Sequence, residues 1–186
     1  MYSLFDIITE MLFSPSKGLI KVSKLNLKKT TFFYFIFSLL IFWPMMVKKY
    51  PNLDAYMLRQ LFVFKFLLSL AAILIFAILL NGICCFLFKK SVDISTIFSA
   101  LIFSLVPFLL QPVAFSLFSS KVAMSVEKIL IVWWIILLLK IVKQFYGTGL
   151  IKSLLTLLLP VVFVFGFHML LFAYLFAFLN AFAQII

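Results

Sequence analysis

The stretch Phe66–Phe88 reads FLLSLAAILIFAILLNGICCFLF and carries no charged side chain. At ~1.5 Å per residue, a helix of this length crosses the ~30 Å hydrocarbon core of a bilayer. Further runs without charge lie on both sides of it, and they are Thr30–Val47, Ile94–Ser120, Ile129–Leu139 and Ser153–Ile186. This pattern predicts an all-α fold, a polytopic transmembrane helical bundle with about five spans.

The composition of the whole chain favours the same fold. Hydrophobic residues make up 67% and charged residues 11% of the 186 residues, whereas soluble domains contain ~45–50% apolar and ~25% charged residues. Sixteen Lys and Arg residues stand against five Asp and Glu residues, and the basic residues concentrate at the ends of the apolar runs, where lipid headgroups lie. We therefore expect the lipid bilayer, and not nucleic acid, to be the partner of this positive charge.

Residues 1–29 are predicted to form an amphipathic and basic juxtamembrane segment. Apolar residues recur there at helical spacing, and they are Leu4, Phe5, Ile8, Met11 and Leu12. This spacing predicts a short amphipathic helix that lies at the membrane interface and ends at Ser14-Pro15-Ser16. The lysines that follow are expected to contact the membrane surface, and they are Lys17, Lys21, Lys24, Lys28 and Lys29.

The rest of the chain, residues 30–186, is predicted to form one five-span membrane domain. The predicted spans are residues 30–47, 62–88, 94–118, 126–142 and 153–180. The fourth apolar run is short, so its helix must include charged residues at its ends, whose long side chains can reach water. The last run is ~51 Å long as a straight helix, which favours one kinked or tilted span with bends at Pro160 and Gly166.

The distribution of lysine and arginine predicts the orientation of the bundle. With five spans and the N-terminus inside, ten of these residues fall on the inner side and six on the outer side. Because basic connectors are retained on the cytoplasmic side, we predict an integral protein of the cytoplasmic (plasma) membrane of a prokaryote. Its N-terminus is then inside and its C-terminus outside, whereas an even number of spans would return the C-terminus to the inside.

Two prolines mark the third predicted span. Pro107 and Pro112 each remove a backbone hydrogen bond in a medium without water to replace it, so we expect a kink there. The kink could shape a pocket that includes Gln111. Alternatively, it is tolerated because Ser104 or neighbouring helices satisfy the freed carbonyl groups.

Two ionisable side chains are further candidates for a pocket within the membrane. Lys65 lies four residues into the apolar pattern that begins at Leu61, and it either faces such a pocket or extends to the interface. His168 could titrate near neutral pH, or it could form a hydrogen bond to a neighbouring helix. The same choice between a polar pocket and interhelical hydrogen bonds stays open for Asn81, Gln111, Asn180 and Gln184.

The sequence contains no motif of the common catalytic sites. It has no Gly-rich phosphate loop, no HExxH and no GxSxG, and Cys84-Cys85 alone cannot make a zinc site. The acids fall in connectors or at span ends, and they are Asp6, Glu10, Asp54, Asp93 and Glu127. We therefore predict no catalytic, cofactor-binding or metal-binding residues, and a protein that is not an enzyme.

The order of these features resembles the Yip family of five-span integral membrane proteins, of the prokaryotic type. Leu12-Phe13-Ser14-Pro15 is similar to the short apolar element with proline that precedes the family's first span. Phe103-Ser104-Leu105-Val106-Pro107 is similar to the aromatic-Ser-x-x-Pro signature of the third span, and Trp134–Lys140 is similar to the Trp-bearing fourth span. The resemblance covers nearly the whole chain.

The resemblance implies a non-enzymatic accessory or organising subunit that acts through helix or lipid contacts, with a membrane-protein partner or as a homo-oligomer. Some bacterial members are thought to accompany ABC-type exporters. Two departures from the family pattern occur: Ser91-Val92-Asp93 stands where Gly-Gly is frequent, and the N-terminal Tyr-Gly-Pro motif of eukaryotic members is missing. Binding of Rab-type GTPases is therefore not implied.

Two other functions stay open. A small membrane transporter, or the substrate-binding membrane subunit of one, would use a midplane pocket formed by Pro107, Gln111, Lys65 and His168. A membrane-shaping protein would use the amphipathic N-terminus and the 26 phenylalanines.

Overall fold

The computed structural model describes residues 3–160, and this part of the chain is helical without any β-strand. The helices are α1 (Leu4–Phe13), α2 (Pro15–Val22), α3 (Leu27–Lys49), α4 (Ala55–Phe88), α5 (Ile94–Ser104), α6 (Leu110–Leu117), α7 (Ser120–Tyr146) and α8, described over Leu150–Pro160. A short 3-10 turn, Val106–Leu109, joins α5 to α6. The predicted all-α class is confirmed for these residues.

Four helical segments are long and apolar enough to cross a membrane, and they are Leu27–Lys48, Ala55–Phe88, Ile94–Leu117 and Lys121–Tyr146. They coincide with the first four predicted spans. The second begins seven residues earlier than predicted because the Asp54 carboxylate accepts a hydrogen bond from the Met57 N–H at 2.7 Å and starts α4 there. The fourth begins at Ser120 and not near residue 126, and α7 contains Glu127 and Lys128, as predicted. The predicted fifth span, residues 153–180, lies largely outside the described residues.

The two N-terminal helices form a hairpin that packs on the bundle. Ser3 and Asp6 form a capping box at the start of α1, and Pro15 occupies the first turn of α2, where its missing N–H costs nothing. Ile7 and Met11 are fully buried against protein. The amphipathic helix exists where the periodicity predicts it, and its most deeply buried apolar side chains pack inside the molecule; its placement on a membrane surface stays a prediction.

Glycine makes the close contact within this hairpin possible. A Cβ atom at Gly18 would lie 2.9 Å from both the backbone nitrogen and the sulfur of Met11, which is closer than real Cβ contacts allow. The absence of a side chain at Gly18 therefore sets the distance between α1 and α2. The Lys21 ammonium reaches the Glu10 carboxylate at 2.7 Å across the same hairpin.

The segment that contains α5 lies at the centre of the bundle. About 61% of its apolar window is buried within the protein, against 11% for α4, so α5 is a core helix whereas most of α4 faces outward. The Phe33 and Phe103 rings stack with centroids 4.3 Å apart and join α3 to α5. The Thr30 and Ser99 hydroxyls share a buried hydrogen bond of 2.9 Å between the same two helices.

Aromatic side chains fill the contact between α3 and α4. The Phe66 ring packs on Tyr34 and Phe35, and Phe62 packs edge-on against Trp43. The Tyr34 hydroxyl donates to the Ser69 hydroxyl at 2.7 Å, which gives the phenol a polar partner inside the apolar contact. Much of the phenylalanine content of these two helices therefore serves packing.

One end of the bundle gathers the segments that carry most of the lysines; we call it the lysine-rich end. There Gln144 near the end of α7 donates to the Ser16 carbonyl of α2 at 3.0 Å, and Asn81 near the end of α4 contacts Val92 and Tyr146. At the opposite end, Met46, Leu58 and Phe62 form a small separate core between α3 and α4.

Candidate functional site

The third span breaks at Pro107. The Leu105 N–H bonds to the Ile102 carbonyl and the Phe108 N–H to the Leu105 carbonyl, which is the tighter 3-10 pattern. Because Pro107 has no N–H to continue the α-helical ladder, the chain changes to this turn before α6 begins. The α-helical hydrogen bonding of the third span is therefore interrupted at Pro107, where the sequence predicts a kink.

Pro112 does not produce a second kink. It lies in the first turn of α6, which begins at Leu110. The first N–H groups of a helix have no partner within the helix, so the missing N–H of Pro112 removes no helical hydrogen bond. Only one of the two predicted positions breaks the span.

Ser104 forms a polar contact at this break. Its hydroxyl donates to the Leu101 carbonyl at 2.6 Å and accepts a hydrogen bond from the Trp134 indole N–H at 3.1 Å. Ser104 is fully buried, so the contact joins α5 to α7 inside the protein. This arrangement matches the alternative in which the kink is held by neighbouring side chains.

A small cavity of about 210 Å³ lies beside the break. Its lining residues come from α4, the α5 end and α7, and they are Ala72, Ile73, Phe76, Leu101, Ser104, Leu105 and Trp134. The polar atoms that Ser104 and Trp134 bring to it already bond to each other. The cavity is therefore mainly an apolar space between helices.

Neither Gln111 nor Lys65 lines this cavity. The Gln111 amide donates to the Glu127 carboxylate at 3.2 Å and joins α6 to α7, as expected for interhelical contact. The Lys65 ammonium lies 5.6 Å from the centre of the Tyr50 ring, in the connector between α3 and α4. His168 lies outside the described residues.

Asn81 makes the densest polar contact at the lysine-rich end. Its amide N–H donates to the Val92 carbonyl at 2.9 Å, and its carbonyl accepts from the Val92 N–H at 3.2 Å and from the Tyr146 hydroxyl at 2.6 Å. One side chain thus joins α4, the α4–α5 connector and the end of α7. The sequence signal was a lone amide in an apolar helix, and its partners could not be identified from sequence.

All five acids take part in local contacts. Asp6 and Asp54 cap helices, Glu10 pairs with Lys21, Asp93 accepts from the Ser95 hydroxyl and Glu127 accepts from Gln111. Hydrogen bonds from Ser3 hold the pKa of the exposed Asp6 carboxyl below its ordinary value, so this cap is intact near neutral pH and is lost as the pH falls through that lowered value. These carboxylates serve helix starts and helix pairs.

The five N-terminal lysines occupy two environments. Lys21 is half-buried in the α1–α2 hairpin through its ion pair with Glu10. The others have exposed side chains, as a membrane-surface contact requires, and they are Lys17, Lys24, Lys28 and Lys29.

Among the four spans, α4 has the smallest buried share of its apolar window, 11%, and it presents an uncovered apolar surface that we call the outer face of α4. We use this term for Phe64, Leu68, Ala71, Ile75 and Ile78, which follow one another at spacings of four, three, four and three residues. All five are exposed. This spacing places them in one stripe along the helix, opposite the buried residues Ala77, Leu80 and Cys84.

No family model, no curated protein and no solved structure matches this chain. The resemblance to the Yip family therefore stays a prediction from the sequence motifs. The structure adds that the Phe103–Pro107 motif falls at the break of the third span, with Ser104 and Pro107 on its two sides.

Proposed function

We propose that this chain is a non-enzymatic integral membrane protein of the Yip type, an accessory or organising subunit that binds a helix of a partner membrane protein. The observation that carries the proposal is the outer face of α4. This helix is the most apolar of the four spans, with a mean hydropathy of 2.8 in its central window, yet only 11% of that window is buried.

The pattern of the outer face suits a partner helix. Spacings of four and three residues are those of helix-packing seams, in which side chains of one helix fit between those of another. Ala71 lies in the middle of the stripe, and small residues let two helices approach closely inside a membrane. The outer face carries no charge, so it can be buried against a helix or lipid without loss of ion solvation.

The polar groups inside the bundle support an organising role and not a catalytic one. They join helices to one another, as in the Thr30–Ser99, Tyr34–Ser69 and Gln111–Glu127 hydrogen bonds. Such contacts are each worth roughly 0.6 kcal/mol on average in membranes, and together they favour one rigid arrangement. A rigid bundle with one outward apolar helix is a suitable platform for assembly.

The proposal includes an orientation. The lysine-rich end faces the cytoplasm, because basic connectors remain on that side, and the N-terminal hairpin is then inside. Following the family resemblance, an ABC-type exporter is the partner class that we favour.

Site-specific photo-crosslinking tests the proposal. A photoreactive phenylalanine analogue at Ile75, in the outer face, is expected to give one discrete adduct with another membrane protein in host membranes. The additional substitution Ala71→Phe is expected to abolish that adduct, because its bulk prevents close approach.

The matched control is the same analogue at Val132, an exposed apolar residue on α7. Absence of an adduct at Ile75, or the same adducts from Val132, would contradict the proposal. An adduct of two identical chains would mean that the outer face binds a second copy of this chain and not another protein.

A small transporter is the second candidate, and the cavity beside the broken third span favours it, since broken helices line many transport sites. Purified protein in vesicles would then take up a solute, and Ser104→Val would reduce that flux. Flux that is unchanged in Ser104→Val would count against this candidate.

A further inference from the structure

A second and larger cavity lies at the lysine-rich end, between the end of α4 and the start of α8. Its volume is about 890 Å³. The lining residues are Leu87, Phe88, Lys90, Tyr146, Gly147, Thr148, Gly149, Leu150, Ile151 and Lys152. Two of them are lysines and none is acidic, so the charged side chains that line the cavity are all basic.

Both lysines line this cavity because of where the helices end and begin. Gly147 ends α7 in the left-handed conformation, with a φ of 65°, and a Cβ atom there would lie 3.0 Å from the Lys90 Nζ. The Lys90 ammonium therefore lies close to the glycine that ends α7. Lys152 belongs to the first turn of α8, and both lysine side chains are exposed.

An apolar groove adjoins this cavity. It has a volume of about 570 Å³, and its lining residues are Leu79, Gly82, Ile83, Phe86, Leu87, Leu159 and Pro160. Leu87 lines both spaces, so the groove lies directly beside the basic cavity, along α4 and α8. At Gly82 a Cβ atom would meet nothing within 4 Å, so the groove is open there.

A basic cavity directly beside an apolar groove matches the polarity of a phospholipid. A phosphate group accepts charge-assisted hydrogen bonds from lysine, and an acyl chain gains free energy when it leaves water or packs in an apolar groove. A soluble phosphate compound would use only the cavity and leave the groove unoccupied. The lysine-rich end is also the end at which anionic lipid headgroups of the inner leaflet would lie in the proposed orientation.

We propose that this chain binds one anionic phospholipid, with its phosphate-bearing headgroup held by Lys90 and Lys152 and one acyl chain in the groove at Gly82. The site is separate from the outer face of α4, which ends at Ile78. Lipid binding here does not require that the partner-helix proposal is correct.

Retention of lipid by the purified full chain tests the site. The protein is extracted in mild detergent, loaded with phosphatidylglycerol or with phosphatidylcholine of the same acyl chains, and washed, and the retained lipid is measured by native mass spectrometry. We expect retention of one phosphatidylglycerol and much less phosphatidylcholine. Each lysine removed is expected to weaken binding roughly fivefold, so Lys90→Gln with Lys152→Gln should lose most of the bound lipid.

Two controls separate the site from general attraction to positive charge. Lys17→Gln with Lys28→Gln removes the same charge from exposed lysines that do not line the cavity, and retention is expected to stay within twofold of the original. Gly82→Leu fills the groove without a change of charge, and it is expected to reduce retention as strongly as the double lysine variant. Ala71→Phe, which tests the outer face of α4, should leave lipid retention unchanged.

Four results would overturn the inference, and three of them come from the retention measurements. Those three are equal retention of the two lipids, equal loss in the Lys17 and Lys28 control, and full retention in Gly82→Leu, which would mean that no acyl chain lies in the groove. Displacement of the bound lipid by millimolar inorganic phosphate alone would also contradict it, because a site for free phosphate needs no groove. A thermal unfolding midpoint close to that of the original chain shows that each variant is folded.

Discussion

Polar side chains inside this bundle act in pairs that join helices, and Asn81 is the most connected of them. Its amide satisfies both backbone groups of Val92 and the hydroxyl of Tyr146. In a membrane protein the backbone of a connector needs such a partner wherever water is scarce. A single amide therefore fixes where the α4–α5 connector lies against α7.

Replacement of Asn81 by leucine is expected to destabilise the protein by about 2 kcal/mol, because buried donors and acceptors of Val92 and Tyr146 lose their partner. Thermal unfolding in detergent measures the change. The matched control is Tyr146→Phe, which removes only one of the three hydrogen bonds and is expected to cost about 0.6 kcal/mol. Equal unfolding temperatures for Asn81→Leu and the original chain would show that this contact has no structural role.

Sequence reasoning at this scale identified residue types but not their partners. It singled out Ser104, Gln111 and Asn81 as polar groups in apolar surroundings, because such groups need hydrogen bonds. Whether these groups line one pocket or bridge different helix pairs depends on how each helix is rotated about its own axis. Because α3 and α4 are uniformly apolar, their sequences do not specify this rotation. For Lys65, too, the sequence left two environments open, and only the structure shows that its ammonium lies near the Tyr50 ring at the end of α3.

The third span shows how a single residue shapes a whole element. Its sequence predicted a kink at two prolines, and the structure breaks the helix at Pro107 and continues it through Pro112. The difference lies in the position of each proline relative to the start of α6. A helix start inside an apolar run carries no clear sequence signal, so the sequence alone could not distinguish the two.

Pro107→Ala is expected to alter the third span and Pro112→Ala to leave it unchanged. Alanine at position 107 restores an N–H, so the α-helical ladder can continue from α5 into α6 and straighten the segment. Spin labels at the exposed positions Ile94 and Leu117 measure the end-to-end distance, which should increase in Pro107→Ala. An equal distance in both variants would mean that packing, not proline, sets the break.

The N-terminal hairpin is the element whose fold depends most on one glycine. Gly18→Ala is expected to destabilise the α1–α2 contact by about 1–3 kcal/mol, the usual cost of overpacking, because the added methyl group would meet the Met11 backbone. Hydrogen exchange of the α1 amides should rise. Gly82→Ala is the control, since a Cβ atom there meets nothing, and equal exchange in the two variants would contradict this reading of the hairpin.

At the scale of the whole molecule, charge and helix order agree. The spans alternate in direction, and the contacts of α2, α4 and α7 bring their lysine-bearing ends together. The count of basic residues could predict that the lysines gather at one end of the bundle, because membrane insertion responds to the basic residues of the sequence itself. The central position of α5 and the outward position of α4 could not be predicted, because Phe66–Phe88 of α4 and the whole of α5 are equally free of charge.

The central claim is that the four long helices cross the bilayer with the lysine-rich end in the cytoplasm. Single cysteines introduced in a Cys84→Ser, Cys85→Ser background, followed by labelling of intact cells with a membrane-impermeant maleimide, test it most directly. Exposed connector positions are available at both ends: Asn52 and Ser119 at one, Ser91 at the other. We predict that Asn52→Cys and Ser119→Cys are labelled in intact cells, whereas Ser91→Cys is labelled only after permeabilisation. Labelling of Ser91→Cys in intact cells together with protection of Asn52→Cys would contradict the orientation, and labelling of all three would contradict the spans themselves.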